Sequence, residues 1–171
     1  SELDARPAVK AFFMDRGEPI VDAVVSLTGF SLVGGPAYND TDAAQEMLEA
    51  LDVPYLAAQG LEFQSLQDWE SSSMGLMPVE ATMMVAIPEL DGATGSMVFG
   101  GRSELSAGEK FDMQPAPERI DRLADRVARL VGLRHTPIAE RKVAIVLFNF
   151  PPNSGAAGTA AHLSVFESLF N

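Results

Sequence analysis

The chain has 171 residues, 47% of them hydrophobic and 21% charged, a composition that indicates one globular domain or slightly more and excludes disorder for most of its length. Twelve basic against twenty-four acidic residues give a net charge of −12, which disfavours nucleic acids and anionic membranes and favours a cationic, neutral or metal-bearing partner. The sequence has no cysteine, so disulfides and thiolate chemistry are excluded, and we expect neither secretion nor an integral membrane segment.

Strand and helix signals alternate along the first half of the chain. The valine-rich run 21–27 predicts a buried strand of the parallel type. Asp40 or Thr41 can cap a helix, and residues 53–57 resume as a short strand. Ser65 begins a second helix. The apolar face of the first helix is predicted to carry Ala44, Met47, Leu48 and Leu51, and Gly75 is predicted to end the second.

Two carboxylates follow the next apolar run, residues 82–87, which we predict to be a strand. Pro88 disfavours a helix and extends the residue before it, while Gly92 permits a sharp turn. Glu89 and Asp91 are therefore predicted to lie just beyond a buried strand, where α/β folds hold ligands. The alternative is an acidic surface turn without chemistry.

The next segments predict an extended stretch at 97–101, a connecting excursion at 103–116, and a long helix that opens near Pro117. An arginine stripe runs along the polar side of this helix at positions 122, 126 and 129. Glu118 and Asp125 each precede an arginine by four residues, which favours an internally paired, solvated face over an anion site.

The last segments predict a strand at 143–148 and a helix at 159–170 whose apolar pattern stops without a cap. Between them, Gly155, Gly158 and Thr159 belong to a glycine loop whose amides either receive an anion or serve tight packing. The glycine loop at 29–35 lacks the lysine of a nucleotide P-loop. We predict an α/β fold with a mostly parallel sheet and helices on both faces, Rossmann-like or flavodoxin-like, with residues 1–171 forming one region excised from a larger subunit.

Four blocks of sequence resemble one family. They are 21–37 (VDAVVSLTGFSLVGGPA), 51–55 (LDVPY), 88–92 (PELDG) and 148–161 (FNFPPNSGAAGTAA). In this order they resemble the large, porphyrin-binding subunit of magnesium chelatase. The resemblance covers residues 19–102 and 141–171.

The resemblance implies insertion of Mg²⁺, as substrate, into protoporphyrin IX in chlorophyll or bacteriochlorophyll synthesis. ATP is then bound and hydrolysed by two AAA-type partner subunits, not by this chain. It also implies a location in the cytoplasm of a phototrophic bacterium, or peripheral to a membrane, and an inactive chain when the rest of the large subunit is missing.

The same resemblance suggests roles for individual residues. Glu89 is our candidate catalytic residue, as a transient Mg²⁺ ligand or proton acceptor, and Asp91 is the second carboxylate at the substrate. The amides of Gly155, Gly158 and Thr159 are candidates to hold a porphyrin propionate. Two alternatives stay open: a cobaltochelatase large subunit that inserts Co²⁺ into a corrinoid precursor, and a non-catalytic scaffold that docks the ATPase subunits.

Overall fold

The computed structural model describes residues 4–35, 38–103, 112–149, 158 and 164–170. The chain divides into two compact units, Ser1–His135 and Thr136–Asn171. The strands are β1 Met14–Asp15, β2 Glu18–Pro19, β3 Val24–Ser26, β4 Gly34–Gly35, β5 Tyr38–Asn39, β6 Tyr55–Ser65, β7 Thr94–Arg102 and β8 Met113–Pro115. The helices are α1 Arg6–Phe12, α2 Thr41–Leu51, α3 Leu66–Ser71, α4 Pro78–Glu80, α5 Ile87–Asp91, α6 Pro117–His135 and α7 Val165–Phe170, with a π-helix at Ala81–Ala86 and a 3₁₀-helix at Ile138–Glu140.

The first unit is organised around a four-stranded sheet in the order β3-β6-β7-β8. β3, β6 and β7 are parallel to one another, and β8 closes the edge in the antiparallel direction. The pairing of β6 with β7 shifts register at three places along the two strands, which bends the sheet. The predicted α/β class with a mostly parallel sheet is confirmed.

Alternate residues of β6 pack against helices on opposite faces of the sheet. Leu56 and Ala58 form one apolar cluster with Leu123 of α6. Tyr55 and Ala57 form another on the opposite face, against which Leu48 of α2 packs. This alternation is what a strand with a side-chain period of two produces when both of its faces are covered, and it confirms the predicted helices on both faces.

Two helix starts have the caps that the sequence predicts. The Asp40 carboxylate accepts a hydrogen bond of 3.0 Å from the Ala43 amide at the start of α2. The Ser65 hydroxyl accepts one of 3.0 Å from the Asp68 amide at the start of α3. The predicted end of the second helix is wrong, because α3 stops at Ser71 and not at Gly75.

The predicted strand at 82–87 is wrong, because these residues belong to a helical segment. The π-helix Ala81–Ala86 is followed directly by α5, and Ile87 has helical dihedral angles (φ −63°, ψ −50°). Pro88 has no N–H and would crowd the carbonyl four residues earlier in a regular α-helix. The wider π-turn before it accommodates the ring, so this proline lies within a helix instead of ending one. Gly92, at φ +112°, then ends α5.

A fully buried carboxylate joins this helical segment to the sheet. Glu80 accepts hydrogen bonds from the backbone amides of Phe63, at 3.4 Å, and Met77, at 3.1 Å, and from the Gln64 side chain. A buried charge is tolerated only when its oxygens are hydrogen-bonded. Glu80 therefore anchors the start of the segment to the end of β6.

The predicted excursion at 103–116 contains β8, which pairs with β7 through Gly100 and Gly101; residues 104–111 lie outside the described residues. The predicted long helix is confirmed as α6. No helix in the described parts of the chain combines the length and the apolar character needed to cross a membrane.

The second unit differs from its prediction. Residues 143–148 form no strand, and Val143 and Val146 are 80% and 93% exposed. The backbone groups of a strand need a neighbouring strand as their hydrogen-bond partner. Within the described residues, no strand is paired with residues 143–148. The predicted terminal helix is present as α7; its first predicted turn, 159–163, lies outside the described residues.

We predict that Leu123→Ala lowers the free energy of unfolding by about 3 kcal/mol, because the buried leucine joins α6 to the sheet and its removal leaves a cavity. The measurement is urea denaturation followed by circular dichroism. Leu133→Ala is the matched control, the same substitution at a half-exposed position of the same helix, and should change stability by less than about 1 kcal/mol. Equal effects of the two substitutions would contradict the packing described.

Candidate functional site

Glu89 lies in α5, three residues before the helix ends at Gly92 and five before β7 begins. The predicted position at the exit of a strand is therefore wrong: the residue precedes the amino end of a strand. Its side chain is exposed and lines two separate clefts. Glu89 is thus shared by the linings of two surface clefts.

Asp91 occupies a very different environment, because it is 1% exposed. Its Oδ2 accepts hydrogen bonds of 2.7 Å from the Ser31 hydroxyl and 2.7 Å from the Leu32 amide. Its Oδ1 has no hydrogen-bond partner among the described residues. The contacts of Asp91 fasten the 31–33 segment to the end of α5, and a role at the substrate stays a prediction.

The larger cleft, of about 870 Å³, lies beside α6 and is called the arginine cleft. It is lined by Arg119, Arg122, Arg126 and Arg129 together with the acidic Glu89 and Asp125. Apolar side chains complete much of the lining: Trp69, Leu76, Val85, Met97, Val98, Leu130 and Leu133. Four guanidinium groups against two carboxylates make the cleft basic, in a chain whose net charge is −12.

The arginines of α6 differ in how they are held. Arg122 pairs with Glu118, as the sequence predicts. Arg119 lies over the ring of Trp69, 5.2 Å from its centroid, and Arg126 donates a 2.9 Å hydrogen bond to the Gly95 carbonyl. The predicted pair of Asp125 with Arg129 does not form, and Arg129 has no hydrogen bond or ion pair within the described residues. The predicted internally paired face is therefore only partly realised.

Gly95 lets Arg126 approach the sheet. Its φ of +61° is a left-handed conformation, and a Cβ at this position would lie 2.7 Å from Nη1 of Arg126. Glycine is the residue that adopts this conformation without strain. Arg126 is thereby held at the start of β7.

Two polar side chains of the sheet lie in the arginine cleft without satisfied hydrogen bonds. Gln59 of β6 is 3% exposed, and its Oε1 has no partner among the described residues. The Oγ of Ser96 in β7 is also buried and unpaired there. Buried polar atoms nearly always have a partner, so the two unpaired atoms are an unusual feature of the sheet beside this cleft.

The second cleft, of about 660 Å³, contains four carboxylates and is called the acidic cleft; they belong to Glu49, Asp52, Glu89 and Asp91. Arg134 also lines it and donates a 3.4 Å hydrogen bond to Asp52. Tyr55 contributes a phenol whose pKa is raised by burial. No group of three or more possible metal-ligating side chains is close enough to hold a metal ion in the parts of the chain that are described.

The glycine loop of the second unit is described at one position. Gly158 has φ +72°, and its amide donates a 2.8 Å hydrogen bond to the Phe148 carbonyl. Gly155 and Thr159 lie outside the described residues. The anion site predicted for these amides stays a prediction.

Sequence reasoning missed Gln59, Ser96 and Arg119 as residues of the cleft. It also missed that the arginines of α6, which we call the arginine row, line one cleft together. Arg119, Arg122, Arg126 and Arg129 are spaced by three or four residues, which places them on one side of a helix. That signal is present in the sequence. The sequence gives no such signal for the unpaired Oε1 of Gln59, because that depends on which residues of β6 lie beside the cleft.

Comparison with known proteins agrees with the α/β fold and identifies a class of metal chelatases. The structure matches the catalytic subunit of cobaltochelatase from Mycobacterium tuberculosis with a TM-score of 0.60 and 32% identity, over 74% of this chain and 11% of that one. The family model described as CobN/Magnesium Chelatase matches residues 1–171. The chain belongs to the CobN/magnesium chelatase family.

Among the curated relatives, the magnesium-chelatase H subunits of Rhodobacter capsulatus and Cereibacter sphaeroides are 55% and 56% identical to this chain, each over 99% of its length. The CobN subunit of the aerobic cobaltochelatase of Pseudomonas aeruginosa is 33% identical over 86% of the chain. The chain spans about 15% of the length of the two magnesium-chelatase relatives.

We predict that Asp91→Ala lowers the free energy of unfolding by about 3 kcal/mol, because the Ser31 hydroxyl and the Leu32 amide lose a charged acceptor inside the protein. Urea denaturation of the two proteins measures this. Glu89→Ala is the control, since it removes an exposed carboxylate from the same helix and should change stability by less than about 0.5 kcal/mol. An Asp91→Ala protein as stable as the Glu89→Ala protein would show that Asp91 is not a structural anchor.

Proposed function

We propose that this chain is part of the porphyrin-binding subunit of a magnesium chelatase, which inserts Mg²⁺ into protoporphyrin IX. The observation that supports this most directly is 55–56% identity to two proteins named as the H subunit of magnesium chelatase. Identity to the CobN subunit of cobaltochelatase is 33%, which favours magnesium over cobalt. The arginine cleft supports the proposal independently, because its apolar and cationic lining suits an apolar ligand with acidic groups.

A carboxylate can assist the reaction in two ways. Mg²⁺ holds its water tightly and prefers octahedral oxygen ligands, so water must be displaced as the ion leaves solution. The porphyrin must also lose two pyrrole protons before the metal occupies its centre, and these need an acceptor. Glu89 can serve either step, since it is exposed and lines both the arginine cleft and the acidic cleft.

The two clefts suggest how substrates of opposite charge reach this residue. A dicarboxylate ligand is attracted by the arginine cleft, while a cation is attracted by the acidic cleft, where carboxylates outnumber the single Arg134. Glu89 is shared by both linings. In this proposal it receives the hydrated ion from one cleft and meets the tetrapyrrole in the other.

The wider assembly belongs to the same proposal. ATP is bound and hydrolysed by AAA-type partner subunits, and other segments of the large subunit complete the site. We place the complex in the cytoplasm of a phototrophic bacterium or peripherally at a membrane; the relatives include bacterial and chloroplastic subunits. A scaffold that docks the ATPase subunits without chemistry is the second candidate, favoured by the acidic surface of the chain.

We predict that Glu89→Gln, made in the full-length subunit and assayed with its ATPase partners, lowers the rate of Mg²⁺ insertion at least about 100-fold, because the amide neither accepts a proton nor binds Mg²⁺ as a carboxylate does. Binding of the porphyrin, measured by absorbance titration, should be unchanged. An unchanged insertion rate would refute a chemical role for Glu89 and favour the scaffold.

Glu46→Gln is the matched control for this experiment. Glu46 is an exposed glutamate on α2 that lines neither cleft, so the substitution removes the same charge without touching the proposed site. It should leave insertion within about twofold of the unsubstituted subunit. Equal losses from the two substitutions would show a general effect of charge and would contradict the assignment.

A further inference from the structure

We propose that the arginine row of α6 is a carboxylate-binding surface, and that Arg126 and Arg129 hold the acidic groups of an apolar ligand whose body lies against Trp69 in the arginine cleft. The inference rests on the proposed function in taking a tetrapyrrole dicarboxylate as the ligand. It assigns to α6 a role that the sequence had suggested for the amides of the glycine loop.

The distribution of charge is the first argument. Four of the twelve basic residues of the chain line this one cleft, although the chain as a whole carries a charge of −12. Holding four cations on one side of a helix costs repulsion between like charges. A single carboxylate, that of Glu118, pairs with both Arg119 and Arg122, and neither Arg126 nor Arg129 has an ion pair within the described residues. An anionic ligand would relieve that repulsion.

The availability of the guanidinium groups is the second argument. Arg126 uses one nitrogen to bond the Gly95 carbonyl and keeps its remaining donors, and Arg129 has no partner within the described residues. The two residues are three positions apart, so they lie side by side on the helix. Arginine forms paired, parallel hydrogen bonds with carboxylates, which makes it better suited than lysine to this task.

The apolar part of the lining is the third argument, and it concerns the body of the ligand. Val85, Met97, Val98 and Leu130 line the same cleft as the arginines. Apolar surface beside guanidinium groups suits a ligand with an apolar framework and acidic groups at its edge. Trp69, over whose ring Arg119 lies, lines the same cleft and adds to its apolar surface.

The experiment is a titration of the chain with deuteroporphyrin IX, a porphyrin dicarboxylate, followed by porphyrin absorbance and by the fluorescence of Trp69. This is the single tryptophan of the chain and lines the arginine cleft, so its quenching reports on that site once porphyrin absorption is corrected. The double variant Arg126→Gln and Arg129→Gln is compared with the unsubstituted chain. We expect its Kd to rise at least about tenfold.

Two controls isolate the carboxylate contact. The double variant Lys10→Gln and Arg16→Gln removes the same charge from exposed residues outside the cleft, and its Kd should rise less than about twofold. The dimethyl ester of the porphyrin should bind the unsubstituted chain and the Arg126/Arg129 variant equally. Circular dichroism checks that each variant is folded.

The outcomes separate this inference from the proposed function. An unchanged Kd for the Arg126/Arg129 variant, or no saturable binding by the unsubstituted chain, would overturn the inference. If the dicarboxylate loses affinity on esterification while the Arg126/Arg129 variant binds the acid normally, the carboxylates are held elsewhere and the inference fails while porphyrin binding survives. The insertion assay on Glu89→Gln is made in the full-length subunit, so its result tests the proposed function independently of this titration.

Discussion

The packing of α6 on the sheet is the contact on which the candidate site depends. Leu123 is buried against Leu56 and Ala58 of the central strand β6, so one side of the helix is fixed to the sheet. In an α-helix the positions three and four residues apart share a side, and the arginines therefore project along the same edge. Without that apolar contact the cationic row would have no fixed relation to Gln59 and Ser96.

A second constraint positions Glu89, and it comes from two buried carboxylates with structural contacts. Glu80 joins the start of the helical segment to the end of β6, and Asp91 joins its end to the 31–33 segment. Both ends of the segment are thus held by charged hydrogen bonds, which are stronger than neutral ones. Glu89 projects from a support that is fixed on either side, and the role proposed for it would need placement of this kind.

Much of the fold is predictable from local patterns, while the candidate site is predictable only in part. The caps at Asp40 and Ser65 and the long helix follow from chemistry within a few residues. The prediction of a strand at 82–87 fails because the helix at these residues depends on the π-turn that accommodates Pro88. It also depends on the hydrogen bonds of Glu80, eight residues before Pro88. A short apolar run next to a proline shows no hydrophobic period, so its sequence looks the same whether it forms a buried strand or a buried helix.

The sign of the charge at the site shows why a global property is a poor guide to a local one. Net charge sets the long-range field, and at −12 it argues against an anionic ligand. Within a cleft, however, the nearest charges dominate, because interactions between exposed groups are screened beyond roughly 10 Å by salt. Four arginines within one cleft therefore outweigh a larger number of distant carboxylates. In the proposed function, the arginine cleft and the acidic cleft, which share Glu89 in their linings, would for the same reason attract ligands of opposite sign.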